Sequence, residues 1–292
     1  MDERETFLGE QASDEDVYGK FDKLMSEIRT WSSHFNGGNA DSFKEDRFSE
    51  YQNIVPLYTE LRDLDEITTK KRKKRLFVRG WTAYVICTKL FRTLDLAPAG
   101  DLGNDVWLGN ALADNFRCLE NQLWLTDRKV VSYKSFNDWR AFTAELLGRA
   151  TSTQGEKPTD QVRAAVANAV SEVLEVVTVW HKTGAAEDLE ADKNELHRIF
   201  IDAVQFSQLL RRQRALWSIR FPSRPEAGSL RFNPMFMFDP RDEDEDDMEE
   251  LRKCYVELIA TPILYKRGTM NGEWFESEEA VRLAEIVMMK PN

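Results

Sequence analysis

Phe77, Trp81, Tyr84, Thr88 and Phe91 follow one another at steps of four, three, four and three. An α-helix turns 100° per residue, so this spacing stacks the five side chains on one face, and Val85, Ile86, Leu90 and Leu94 widen it. A face this broad and this aromatic has to be covered by other elements. Directly before it stand six consecutive cations, Lys70, Lys71, Arg72, Lys73, Lys74 and Arg75. One element therefore combines a core-forming face with the densest basic cluster of the chain.

Other segments share the period. Val17, Phe21, Leu24, Ile28, Trp31 and Phe35 define a helix opened by Ser13-Asp14-Glu15-Asp16 and closed by Gly37-Gly38. Residues 41–66 form one or two shorter helices divided by Pro56, with Phe43, Phe48, Tyr51, Val55, Leu57 and Leu61 inward. Helices are expected over about 105–125 (Leu108, Leu112, Phe116, Leu119 and Leu123 inward), from a Ser135 cap to about Gly148, over 159–182 and over 189–217. Residues 151–158 read as a linker. Beyond Trp217 the pattern changes. Residues 221–240 are rich in proline yet apolar, 253–265 is compatible with a strand, and 277–289 permits a strand or a helix.

Charge is unevenly placed. Residues 239–250 hold nine acids and one arginine, so −8 of the net −11 resides there and the remainder of the chain stands at −3. That balance does not suggest a surface built to bind duplex DNA throughout. The run is too charged to be buried. Cys87, Cys118 and Cys254 are distant and odd in number, which fits buried thiols in a reducing compartment better than a disulfide framework. The N-terminus lacks the apolar core of a signal peptide, and Arg79, Lys89 and Arg92 interrupt the most apolar stretch. The expectation is an intracellular protein of nucleus or cytoplasm with no membrane partner.

Val256-Glu257-Leu258-Ile259-Ala260-Thr261-Pro262-Ile263-Leu264-Tyr265-Lys266-Arg267-Gly268, continuing to Gly272-Glu273, resembles the ending of a family of uncharacterised helical proteins of filamentous ascomycete fungi. In those an apolar strand-like run leads into Pro-X-Leu-X-Lys-Arg-Gly and then Gly-Glu. The helices bearing Trp31 and Trp81 have a similar look. The resemblance implies a fungal source and transfers no activity, cofactor or catalytic residue.

The basic hexad is open to three readings: a solvated or internally paired helix entrance, a nuclear import signal, or a nucleic-acid contact. Cations at a helix N-terminus are opposed by the dipole by about 0.3–1 kcal/mol each. The hexad is therefore expected to precede the helix or to meet an acidic partner, and Asp242, Glu243, Asp244, Glu245, Asp246 and Asp247 are the obvious candidates. A distant alternative is a magnesium-dependent isoprenoid enzyme. Asp246-Asp247-Met248-Glu249-Glu250 fits an aspartate-rich metal motif, and Asn137 to Glu145 resembles the second metal motif of terpene synthases. Against it, Ala141 replaces a hydroxyl ligand and the two motifs are reversed in order. His34, His181 and His197 have no Cys or acidic neighbour at metal-ligand spacing and read as helix-surface or helix-end residues.

The sequence thus predicts a mainly α protein: a flexible 1–12, then one compact multi-helix bundle over 13–292, with a small irregular or β-containing C-terminal part and an acidic loop at 239–250. The predicted role is a non-enzymatic protein–protein interaction or regulatory domain, nuclear in one version, with a nucleic-acid-associated protein as the alternative. No catalytic residue, cofactor or metal ligand is assigned, and the oligomeric state is left open.

Overall fold

The computed structural model describes residues 11–37, 43–58, 60, 64–91, 106–108, 110–152, 159–182, 185–225, 229–241 and 248–289. Among these the protein is mainly α, and its C-terminal part carries two small sheets.

Helix α1 (Asp14–Ser32) starts on a capping box. The Ser13 hydroxyl accepts from Asp16 N at 3.1 Å, and the Asp16 carboxylate accepts from Ser13 N at 3.1 Å. Its buried residues include Val17, Phe21, Leu24, Ile28 and Trp31, the face set by the four-three spacing. The helix stops at Ser32, ahead of Gly37. Short helices α2 (Phe48–Tyr51) and α3 (Asp65–Thr69) follow.

Helix α4 (Lys71–Leu90) is the centre of the fold. It packs against α1, against α7 (Asp160–Val177), against α8 (Ala186–Arg212) and against strand β3 (Tyr255–Ile259). Phe77, Trp81, Val85, Ile86 and Leu90 are buried, while Thr88 is exposed and returns its hydroxyl to Tyr84 O at 2.9 Å. Around this helix the rings of Phe43, Tyr51, Phe77, Trp81 and Trp180 meet edge to face at 5.0–5.8 Å. Such contacts each add about 0.5–1.5 kcal/mol to the burial of the rings themselves.

Helices α5 (Asn110–Leu125) and α6 (Tyr133–Ser152) differ from their sequence expectations. On α5, Ala113, Phe116 and Glu120 are buried, whereas Leu112 and Leu119 face outward at 47% and 51% exposure. Glu120 takes an inward position because Arg211 of α8 meets it at 2.8 Å. Helix α6 begins two residues before Ser135 and continues past Gly148, and its entrance is bonded by Ser132, whose hydroxyl accepts from Ser135 N at 3.1 Å.

Helix α8 ends at Arg212, so Trp217 lies in strand β1 (Leu216–Arg220) and not in the predicted helix. The reason is Arg140 of α6. Its buried guanidinium donates to the carbonyls of Arg211, Gln213, Arg214 and Ala215 at 2.5–3.2 Å, satisfying a chain that has left helical geometry. Gln11 and Ala12, placed by the sequence reading in the flexible N-terminus, are tied to the same turn through Arg212 O, Gln213 Oε1 and Arg214 N.

Strand β1 pairs antiparallel with β4 (Ile263–Arg267), and β4 with β5 (Glu278–Arg282). In the second sheet β6 (Ala284–Met289) lies between β3, antiparallel, and the two-residue β2 (Met237–Phe238), parallel. A short helix α9 (Met248–Leu251) precedes β3. The segment 277–289 is therefore two strands, and β3 and β4 are separated at Ala260–Pro262. The second sheet docks directly on α4. A Cβ at Gly80 would collide with Ile259 O, and Ile259 N donates to Ile54 O at 2.8 Å.

Candidate functional site

The basic hexad does not precede the helix. Lys70 is its N-cap residue, extended at φ −101° and ψ 111° with no side-chain cap, and the other five cations form the first turn and a half of α4. Helical phase then sorts them. Lys73 and Lys74 stand one turn before Phe77 and Val78, on the buried side, while Lys71, Arg72 and Arg75 are exposed.

Lys73 reaches Glu257 of β3 and also Glu66 of α3, the latter at 3.1 Å. Tyr58 donates its hydroxyl to the same Glu257 oxygen at 2.6 Å. Burial pushes the Tyr58 phenol up, and the bond to Glu257 raises it further. Burial alone would lower the Lys73 ammonium, but the bonds to Glu257 and Glu66 outweigh it and the group is raised. Glu66 also holds Lys70 at 3.2 Å; its carboxyl is lowered, first by the bond from Lys73 and then by that from Lys70. Lys74 is buried beside Gly37, whose carbonyl accepts from Nζ at 3.2 Å, and burial lowers its ammonium. The acidic partners seen for the hexad are thus Glu66 and Glu257. Lys71, Arg72 and Arg75 form no ion pair or hydrogen bond among the described residues.

The proposed counter-segment, Asp242 through Asp247, lies outside the described residues. Its flanks are described. Glu249 and Glu250 are exposed, as the charge of the run requires, but they belong to helix α9 and not to a loop. Asp239 is not: it is buried, accepts from Met288 N at 2.8 Å and pairs with Arg241. Its burial is tolerated because these donors satisfy both carboxylate oxygens.

The residues that resemble a terpene-synthase metal motif are committed to packing. Asn137 donates to Tyr133 O at 2.8 Å and accepts from Arg140 at 3.3 Å. Glu145 pairs with Arg149 at 2.7 Å and with Arg212 at 3.4 Å. Guanidinium groups stand where that chemistry needs a cation.

A second cluster was invisible in the spacing of the histidines. Past the end of α1, residues 34–37 run beside 180–182: Lys182 N donates to His34 O at 3.0 Å and Gly37 N to Trp180 O at 2.8 Å. A Cβ at Gly37 would stand 2.8 Å from His181 O, so this approach needs glycine. The pairing brings His34 and His181 to Asp192 on α8. His34 Nδ1 lies 2.7 Å from Asp192 Oδ1, and His181 Nε2 lies 2.8 Å from Oδ2. Trp31 Nε1 donates to the Asp192 carbonyl at 2.8 Å. Asp192 and His181 are buried, whereas His34 is partly open to solvent. One turn along α8, Glu195 brings a second carboxylate, and one ligand atom from each of His34, Asp192 and Glu195 lies within 4.8 Å of the others. The one available signal was Asp192 and Glu195 at i, i+3 on a helix; His34 is 158 positions from Asp192. His197, on α8, is not in the group.

Cys87 and Cys254 are buried as expected, but Cys118 is exposed. Burial pushes the Cys87 thiol up, so it is not a reactive thiolate. A groove of about 290 Å³ runs between α1 and α8, walled by Lys20, Glu27, Phe206 and Arg212 among others. Among the described residues no helix is long and apolar enough to cross a membrane. No family model matches the chain, and neither a curated protein nor a solved structure matches it.

Proposed function

We propose that the protein is a non-enzymatic interaction or regulatory domain that presents the first turn of α4, through Lys71, Arg72 and Arg75, to an acidic segment of a partner protein. The observation that carries this reading is the division of the hexad. Lys70, Lys73 and Lys74 are engaged with Glu66, Glu257 and the Gly37 carbonyl, while three cations face solvent at the positive end of the helix dipole. Each is disfavoured there by up to about 1 kcal/mol, so fold stability gives no reason for them. The leading backbone N–H groups of the helix add donors for an anionic group at the same place. Recognition by an import receptor is one form such a contact takes, and it makes the protein nuclear.

The test is fluorescence anisotropy of the full chain with two labelled probes, an acidic peptide matching residues 239–250 and a single-stranded oligonucleotide of equal charge. Peptide binding that weakens with salt and is lost in Lys71→Ser/Arg72→Ser/Arg75→Ser supports the assignment. Preference for the oligonucleotide replaces it with the nucleic-acid reading. Failure to bind either probe removes the turn as a contact.

A further inference from the structure

We infer that His34, Asp192 and Glu195 form a binding site for a divalent transition metal of the zinc class. Three observations carry this. The first is the donor set, one imidazole and two carboxylates drawn from two elements, with one ligand atom of each within 4.8 Å of the others. An imidazole beside carboxylates favours zinc, iron, nickel or copper over magnesium, calcium or manganese, which take oxygen.

The second is the state of Asp192. A ligating carboxylate is commonly held by a hydrogen bond from behind, and here His181, itself buried, approaches Oδ2 at 2.8 Å while Oδ1 faces His34 Nδ1. The helix backbone at Asp192 is fixed in turn by Trp31. One oxygen is thus anchored and the other is directed at the site. His34 Nδ1 and Asp192 Oδ1 stand 2.7 Å apart, and tetrahedral zinc with bonds of about 2.0–2.1 Å spaces its ligand atoms roughly 3.3 Å apart. The pair needs to open by only about half an ångström as the metal takes the place of the shared proton.

The third is Glu195. The His34–Asp192–His181 bridge is complete without it, and Glu195 makes no hydrogen bond among the described residues. Its carboxylate lies outside that bridge, feels Arg198 one turn along α8 only through space, and is free of hydrogen bonds to serve as the third ligand. With Glu195 and His34 both partly open to solvent, the remaining coordination positions face water.

The experiment is titration of the chelator-treated full chain with Zn²⁺, by calorimetry and by competition with a chromophoric chelator. One equivalent is expected, together with a rise in the unfolding temperature. His34→Ala and Glu195→Gln alter partly exposed side chains, and circular dichroism verifies that both fold. Each is expected to weaken binding about tenfold or more, while His197→Ala and Cys118→Ser leave it unchanged. Absence of stoichiometric binding overturns the site, as does binding that survives either His34→Ala or Glu195→Gln. Loss of binding in Cys118→Ser also overturns it.

Discussion

Lys73 and Glu257, 184 positions apart, form an ion pair that joins the first turn of the central helix to the second sheet. Glu257 is buried, and Tyr58 donates to the same oxygen at 2.6 Å. Removing Lys73 leaves the buried Glu257 carboxylate without its countercharge, with only the Tyr58 hydroxyl donating to it among the described residues. Lys73→Met should therefore destabilise the protein by about 3–5 kcal/mol. Tyr58→Phe, which leaves the ion pair, should cost about 1–2 kcal/mol. Urea midpoints at constant m-value measure both, and equal effects would contradict the assigned order.

Two helical glycines should respond to alanine with opposite sign. At Gly80 a Cβ meets Ile259 O and Ile54 Cγ2, and the backbone carbonyl cannot move aside without shifting β3. Gly80→Ala should cost about 1–3 kcal/mol. At Gly19, exposed in the middle of α1, a Cβ meets nothing within 4 Å. Gly19→Ala should stabilise by about 0.5–1 kcal/mol. Thermal unfolding of the two variants beside the parent decides the pair.

Arg140 should be indispensable as the cap of the α8–β1 turn. Its fork serves four carbonyls, three of them through fully buried bonds. Arg140→Met leaves them unmet, at about 2–3 kcal/mol. Arg140→Lys should recover little, because a point charge on a flexible stem does not reproduce the planar fork. Chemical denaturation of both variants tests this, and full recovery by lysine would refute the fork.

Asp239 should give a specific acid sensitivity. Burial raises its carboxyl, but the bonds from Arg241 and from Met288 N together outweigh burial and hold it below its ordinary value of 3.8. A carboxyl depressed in the folded state adds stability that is complete above the unfolded value and is lost as pH falls through the folded one. The contribution should therefore be present at neutral pH and disappear below about pH 4. Asp239→Asn should be less stable than the parent at pH 7 and converge with it as pH drops below that window. Stability measured against pH for the two proteins checks the convergence.

The exposed cations should not support the fold. Lys71→Ser/Arg72→Ser/Arg75→Ser should leave stability unchanged or raise it by a few tenths of a kcal/mol per charge removed, since the helix dipole opposes them. A clear loss of stability on thermal unfolding would show an internal partner and withdraw the turn as a contact surface.

Much of the helical plan was legible. Val17 to Trp31 and Phe77 to Leu90 declare their helices because burial on one face imposes a 3.6-residue period on any sequence that folds this way. The same phase carried information about the hexad, since Lys73 and Lys74 fall one turn before Phe77 and Val78. Their inward position was readable; what they meet was not. Leu112 and Leu119 show the converse failure, because period alone does not say which of two apolar faces a helix turns inward, and the Arg211–Glu120 pair chose against the leucines.

By itself, then, the sequence determined a mainly α chain, the positions of its long helices, an aromatic centre on α4 and a change of character after Trp217. These are local consequences of propensity and periodicity. Only the tertiary structure decided that α8 ends at Arg212 under Arg140, that 277–289 is two strands, that Lys73 belongs to Glu257, and that His34, His181 and Asp192 converge. Each of those depends on partners many residues apart, and the position of such partners in space is a property of the packed chain that no window along the sequence contains.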